Sequence, residues 1–424
     1  MEALVIGGGN PLCGTVEING AKNAALPLLA ATVLHGGTYV LHNCPEITDV
    51  ALAAEIIEAL GGRVQRTGKT LTVDTRAVST WRVPAELMAR MRASVLFLGP
   101  LLGRFGRAVL TMPGGCPLGK RPIDLHLDAV AQMGTAVTLQ EGEIRCEASN
   151  LHGCTIDLLF PSVGATENAL LAAVACRGTV VIQNAAREPE IACLAEFLRA
   201  MGAEIDGAGT DRLTVAGGRP LEDAACTVLP DRIETATYLC AAAGCGGDVT
   251  LVHTDGGLLL PVLEVLSEAG CRVEQEGDCL RLRADGALRA AGTIETAPYP
   301  GFPTDAQALV MAALLRANGC TRFSETIFER RFSHVPQLRL FGAEIETAGP
   351  TALVRGVRQL HAAEAEGSDL RASAAIVIAA LQAPGVSRIS GINHLHRGYD
   401  NLEGGLRKLG AEIGQENDWK FPAS

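Results

Sequence analysis

One short phrase, repeated at nearly even spacing, constrains this chain more than any other feature. A glycine near a helix-like run leads into a small segment and then Val or Ile. It occurs at Gly61-Gly62-Arg63-Val64, Gly134-Thr135-Ala136-Val137, Gly202-Ala203-Glu204-Ile205, Gly270-Cys271-Arg272-Val273, Gly342-Ala343-Glu344-Ile345 and Gly410-Ala411-Glu412-Ile413. The gaps between the first glycines are 73, 68, 68, 72 and 68 residues. A second phrase, a glycine heading a β-rich run, precedes each copy by 23 to 28 residues, at Gly37, Gly106, Gly178, Gly247, Gly319 and Gly385. That interval holds a strand, a loop and a helix of about 10–14 residues. The first glycine then reads as the end of the helix, where a positive φ is needed, and the Val or Ile as the start of the next strand. Six units of about 70 residues, each αβαβ with one or two added strands, predict an α/β fold with three units in each of two lobes.

Composition narrows the class. The 424 residues are 48% hydrophobic and 20% charged, which excludes a disordered chain and leaves material for large cores. With 48 glycines and 4% aromatics, tight turns between small packed elements are expected. A net charge of -11 argues against a general nucleic-acid binder. The 13 cysteines form no C-x-x-C pair and no zinc-finger spacing, so reduced thiols are expected, twelve of them as core residues. No apolar run approaches the ~18 residues of a membrane span, and Met1–Ile6 does not read as a signal peptide, so a cytoplasmic protein is expected.

A few constellations suit chemistry. Cys116 sits in Pro113-Gly114-Gly115-Cys116-Pro117-Leu118-Gly119-Lys120-Arg121-Pro122, with glycines before it and two cations after. Cationic neighbours favour a thiolate, so Cys116 is either a reactive thiol on a loop or an ordinary buried cysteine. Lys22-Asn23 opens an Ala/Leu-rich run, either as an anion site at a helix start or as an N-cap beside a solvated charge. Basic phrases at Ala89–Ser94, Ser368–Ser373 and His394–Tyr399 offer arginines that could grip a phosphate or carboxylate, or form ordinary ion pairs. Asp305, ahead of another Ala/Leu run, is either a helix-start residue or a general base. His394-x-His396 has no third ligand nearby, so no metal site is expected, and Gly7-Gly8-Gly9 lacks the dinucleotide fingerprint.

Taken together, longer phrases carry a resemblance. They are Asn19-Gly20-Ala21-Lys22-Asn23-Ala24-Ala25-Leu26-Pro27, Met91-Arg92-Ala93-Ser94, the Pro113–Pro122 segment, Ser162-Val163-Gly164-Ala165-Thr166, Ala186-Arg187-Glu188-Pro189-Glu190-Ile191, Leu229–Thr235, Phe302-Pro303-Thr304-Asp305, Asp369–Ser373 and Arg397-Gly398-Tyr399. Along essentially its whole length the chain resembles the UDP-N-acetylglucosamine 1-carboxyvinyltransferases, a family of enolpyruvyl transferases. The resemblance implies an inside-out α/β barrel of six similar units in two lobes, residues 22–229 and residues 1–21 plus 230–424, with a cleft between them. It implies transfer of the enolpyruvyl group of phosphoenolpyruvate to the 3′-hydroxyl of UDP-N-acetylglucosamine with release of phosphate, the first committed step of peptidoglycan synthesis. The implied partners are these two small molecules, with no nucleic acid, no membrane and no metal or organic cofactor. Residue by residue, it assigns Cys116 as the acid that protonates the methylene carbon, a thiol open to fosfomycin, and Asp305 as the base. Lys22, Asn23, Arg121 and Arg397 hold phosphoenolpyruvate. Arg92, Arg121, Pro122, Ile123, Asp124, Leu125, Ser162, Val163, Gly164, Asp305 and Ile327 meet the UDP-sugar, with backbone N–H groups of the 162–164 turn ahead of a helix from Glu167. The chain departs from the family at Arg330, where Asn is usual, at Gln337–Phe341, and at Phe160, where some members have Lys. The shikimate-phosphate enolpyruvyl transferases share the architecture but use a Gly-Asn-Ala-Gly-Thr phosphate loop that is absent here.

Overall fold

A computed structural model describes residues 3–114 and 123–419. The chain divides into two compact units. One holds residues 20–114 and 123–229, the other residues 3–19 and 230–419. Each contains three small sheets.

The two glycine phrases mark element boundaries. Strands Thr38–His42, Arg107–Thr111, Gly178–Gln183, Gly247–Val252, Cys320–Ser324 and Gly385–Ser390 start at or just after the second-phrase glycines. A helix follows each, ending before Gly61, Gly134, Gly202, Gly270, Gly342 or Gly410. All six of those glycines have positive φ, between 87° and 109°. At Gly61 the requirement is plain: the N–H bonds back to Glu58 O in a left-handed turn that a side chain would strain. Gly37 differs from the other strand-leading glycines in having no positive φ; a Cβ there would lie 2.3 Å from Asp223 Oδ1.

Five sheets have four strands and share one order. In each, the strand after the second glycine pairs antiparallel with one neighbour and parallel with another. The antiparallel neighbour is the return strand of a hairpin in four sheets; in the fifth it is Leu4–Gly8, whose other neighbour is Glu412–Gln415. The sheet built on Arg107–Thr111 has three strands, and a single parallel bridge, Arg82↔Val109, stands where the others have a strand. Leu12–Glu17 and Leu4–Gly8 complete two sheets of the unit formed by residues 230–419, which is why the chain's first residues belong to it.

Sheet strands alternate buried and exposed residues, as a sheet with one covered face requires. The covering helices are of two kinds. Thr48–Ala59 and Pro189–Ala200 bury one stripe. Lys22–Ala31, Val163–Ala173, Arg232–Cys245, Thr304–Ala313 and Leu370–Gln382 are buried nearly all round, and every residue of the last is buried. Their alanines and glycines let helices approach closely. Against Val163–Ala173 packs a further helix, Leu98–Phe105, where a Cβ on Gly99 would lie 2.6 Å from Asn168 O. Arg232–Cys245, Thr304–Ala313 and Leu370–Gln382 all pack on one another.

Several expectations need correction. The helix expected from Glu167 begins at Val163, and in the run opened by Lys22-Asn23 both residues are already helical, so Asn23 is not its cap. The thiols other than Cys116 are all free, but they are not all core residues: Cys13 and Cys320 are exposed and five others half-buried. Both exposed thiols sit at outward positions of strands, where the pleat turns every second side chain to solvent. Among the described residues, no helix is long and apolar enough to cross a membrane.

Candidate active site

The unit formed by residues 3–19 and 230–419 gathers its charged residues at the starts of its three buried helices. Asp231 caps the first, accepting from the N–H groups of Ile233 (2.8 Å) and Glu234 (3.0 Å). Asp369 caps another, accepting from Arg371 N and Ala372 N, both at 3.0 Å, while Ser333 Oγ donates to its second oxygen. Each cap satisfies N–H groups that a helix start leaves without partners.

Asp305 lies in the first turn of Thr304–Ala313, and it is not the cap; Pro303 holds that position. Its carboxylate sits between two guanidinium groups. Arg331 Nη2 is 2.7 Å from Oδ1 and Arg371 Nη2 is 3.0 Å from Oδ2. Both arginine side chains are almost fully buried, whereas the Asp305 side chain is 29% exposed. Burial pushes the Asp305 pKa up, but the charges of Arg371, Arg331 and Arg232 overcome it and hold the carboxyl well below the usual carboxylate range. Arg371 also donates to Tyr399 Oη (3.2 Å), which meets Thr237 Oγ1 at 2.9 Å. Arg371 is therefore committed to Asp305 and Tyr399 in this structure. Arg397 ends the short helix Ile392–Arg397, two residues before Tyr399, and is half-buried.

Ile327 is brought close to Asp305 through Glu325. The Glu325 carboxylate accepts from Ile327 N (2.9 Å), Phe328 N (3.1 Å) and Thr304 Oγ1 (3.1 and 3.0 Å). Thr304 O in turn accepts from Arg331. Beneath this turn His334 Nδ1 donates to Arg331 O at 3.1 Å; burial, with the charge of Arg331, pushes its pKa down to about 4.

The other unit holds the remaining described candidates. Lys22 is the first residue of its helix, after Ala21 at the cap. Its Nζ lies 2.7 Å from Asp49 Oδ2 of the neighbouring helix, so Lys22 is neither a solvated charge nor a neighbour of an Asn23 cap. Asn23 follows it, half-buried. Ser162 caps Val163–Ala173 and accepts from Ala165 N at 3.4 Å, so Val163 and Gly164 are already helical rather than a turn before it. Gly164 is close to the next helix: a Cβ there would lie 2.9 Å from His126 Cε1. His126 belongs to Asp124–Gln132, whose start carries buried Ile123, exposed Asp124 and half-buried Leu125. Arg92 is half-buried at the start of the short helix Arg92–Phe97. Cys116, Arg121 and Pro122 lie outside the described residues.

Asn168 joins these pieces. Its Oδ1 accepts from Gly99 N (2.8 Å), which orients the amide, and its Nδ2 donates to Val95 O (3.1 Å) and His126 Nδ1 (2.8 Å). The imidazole therefore accepts at Nδ1 and carries its proton on Nε2. One buried amide thus ties together the three elements bearing Arg92, Asp124–Leu125 and Ser162–Gly164. Sequence reasoning passed over Asn168, Asp49, Glu325 and Arg331. A polar residue inside the Ala/Leu run after Glu167 was the signal for Asn168, and the second arginine of Arg330-Arg331 for the Asp305 partner.

Comparison with known proteins gives the family. The family model described as EPSP synthase (3-phosphoshikimate 1-carboxyvinyltransferase) matches residues 6–406. A UDP-N-acetylglucosamine 1-carboxyvinyltransferase of Psychrobacter sp. (strain PRwf-1) is 44% identical over 420 residues, 98% of this chain and 97% of that protein. That of Halorhodospira halophila is 45% identical over 414 residues, 97% of this chain and 99% of that one. The crystal structure of the enolpyruvyl transferase NikO from Streptomyces tendae superposes with a TM-score of 0.89 at 29% identity, covering 98% of both chains. EPSP synthase from Acinetobacter baumannii shares the fold, with a TM-score of 0.75 at 19% identity, over 98% of this chain and 100% of that one. The chain has the enolpyruvyl transferase fold and belongs to the enolpyruvyl transferase family, among the UDP-N-acetylglucosamine 1-carboxyvinyltransferases.

Proposed function

We propose that this protein transfers the enolpyruvyl group of phosphoenolpyruvate to the 3′-hydroxyl of UDP-N-acetylglucosamine and releases phosphate. The observation that carries the reading is 44–45% identity to enzymes of that name along nearly the full length of both chains. With the reaction come peptidoglycan synthesis as the pathway and the cytoplasm as the place of action. We extend the reading to the architecture: six copies of one unit in the inside-out α/β barrel of the family, three per lobe, with lobes 22–229 and 1–21 plus 230–424. The shared strand order of the sheets and the evenly spaced glycines support it.

The chemistry needs a proton for the methylene carbon, a base for the sugar hydroxyl and fixed cations for a phosphorylated carboxylate. Cys116 supplies the proton as C2 takes the sugar oxygen; loss of a C3 proton then expels phosphate and restores the double bond. Asp305 is the base. Its paired arginines keep it unprotonated at neutral pH, as a base must be, and lower its basicity, so it takes the hydroxyl proton only once the forming C–O bond has made that proton acidic. Lys22, Asn23, Arg121 and Arg397 hold phosphoenolpyruvate, which requires Lys22 to turn from Asp49 or bridge it and the ligand. Arg92, Arg121–Leu125, Ser162–Gly164 and Ile327 hold the UDP-sugar; the Asn168 linkage supports grouping the first three.

The test is phosphate release on mixing the protein with phosphoenolpyruvate and UDP-N-acetylglucosamine, with shikimate 3-phosphate as the alternative acceptor. Release with the UDP-sugar alone is expected. Release only with shikimate 3-phosphate, or with neither, overturns the reading. Mass spectrometry should find fosfomycin on Cys116 when the UDP-sugar is present; a label elsewhere removes Cys116 as the reactive thiol.

A further inference from the structure

Glu325 is an unusual residue to find where it is. It stands at the end of strand Cys320–Ser324, 3% exposed, and among the described residues no cation pairs with it. A buried carboxylate without a counter-charge costs stability unless its lone pairs are filled by well-placed donors. Here neutral groups fill them: two successive backbone N–H groups, of Ile327 and Phe328, and the Thr304 hydroxyl. The N–H groups fix the shape of the 325–328 turn. The hydroxyl belongs to the residue before Asp305, whose carbonyl is held by the same Arg331 that grips Asp305.

We propose that Glu325 is a positioning residue for the sugar-nucleotide acceptor, locking the Ile327 turn in register with the helix start that carries Asp305. The inference rests on the assignment of Ile327 and Asp305 to the acceptor made above. It goes beyond that assignment by naming the group that makes the two act as one surface. A packing role alone would be met by an apolar side chain; holding a turn and a helix start together calls for one acceptor group that takes bonds from both.

Three variants separate the legs of this linkage. Thr304→Val removes the hydroxyl at nearly constant volume, Thr304→Ser keeps it, and Glu325→Ala removes both legs. The readouts are the KM values of each substrate and the Kd of UDP-N-acetylglucosamine by titration calorimetry. Loss of a hydrogen bond to a charged group is expected to weaken acceptor binding by roughly tenfold in Thr304→Val, and more in Glu325→Ala. Thr304→Ser should stay within about twofold of the parent, and the phosphoenolpyruvate KM should hardly move in either threonine variant. An unchanged acceptor Kd in both Thr304→Val and Glu325→Ala overturns the proposal. So does a parallel rise in both KM values with no rescue by serine, because that is the mark of general structural damage. A parent protein that binds the UDP-sugar without turning it over defeats the reaction but still lets the Kd series decide on Glu325. A parent that binds none defeats both.

Discussion

The two units solve the same problem, ordering buried helix starts, with opposite chemistry. In the unit of residues 230–419 the solution is ionic. Asp231 and Asp369 cap helices, and Asp305 is clamped by Arg331 and Arg371. In the unit of residues 20–229 the hub is neutral. Asn168 ties three elements with one amide, Ser162 is the cap, and the described charged pair at a helix start is Lys22 with Asp49. A buried ion network fixes one carboxylate with a defined, lowered basicity. A neutral hub fixes geometry, tying the elements that carry Arg92 and the residues after Ile123 to Val163–Ala173.

That contrast can be broken experimentally. The largest effect is expected from Asp305→Ala, which should lower kcat by about 10²–10⁴, the usual contribution of a general base. Near-normal turnover, measured as phosphate release, would remove Asp305 from that role. Next in size is Arg371→Met. Removing one partner of a buried pair should cost on the order of 3 kcal/mol in denaturant unfolding, against roughly 2 kcal/mol for Asn168→Ala, which leaves neutral groups unsatisfied. An equal or reversed order would erase the distinction between an ionic and a neutral hub.

A third effect depends on pH. Glu234, accepting from Asn19 N and Nδ2, is pushed up to about 8 by burial and by Asp231. The folded chain therefore keeps this proton over a range in which the unfolded chain, with a value near 4.5, has lost it. Folding then binds a proton, so stability falls as pH rises from about 5 to 8, by on the order of 3 kcal/mol. Glu234→Gln should flatten that slope in thermal unfolding; a slope as steep as the parent's would show that Glu234 is not its source. The smallest effects are the caps. Asp369→Ala should cost about 1–2 kcal/mol and Ser162→Ala about 0.5 kcal/mol, since the first accepts two short bonds and the second a single long one.

Much of the local plan was legible. The six glycines before Val or Ile are left-handed helix ends, and a strand and a helix stand between each pair of phrases. These are short-range facts: a left-handed residue after a helix is tolerable mainly as glycine, whatever lies elsewhere in the chain. Only Thr48–Ala59 and Pro189–Ala200 reach the expected 10–14 residues; the other four helices are shorter, down to five residues at Val335–Arg339. Helix starts were less legible. Lys22 begins its helix after Ala21, which offers no side-chain cap, one residue ahead of Asn23, while Val163 begins its helix four residues before the expected Glu167, directly after the Ser162 cap. The two exposed cysteines were misread because composition does not say which side of a strand faces out, and the pleat does.

The candidate site divides in the same way. Residue types in short phrases marked Lys22, Asp305 and Arg397 as worth attention, and the family resemblance added Ser162–Gly164. Their partners were not marked. Asp49 lies 27 residues from Lys22, Arg331 lies 26 and Arg371 66 residues from Asp305, and Asn168 is 73 residues from Val95. An ion pair or a shared hydrogen bond acts over about 3 Å of space and carries no trace of sequence distance. By itself, then, the sequence determined where this chain turns, which segments are helix or strand, and which family it resembles. Only the tertiary structure decided which carboxylates are clamped by arginines, which lysine is paired, and which neutral amide draws three elements together. Those choices depend on what burial places beside each charge, and hence on its desolvation and its partners.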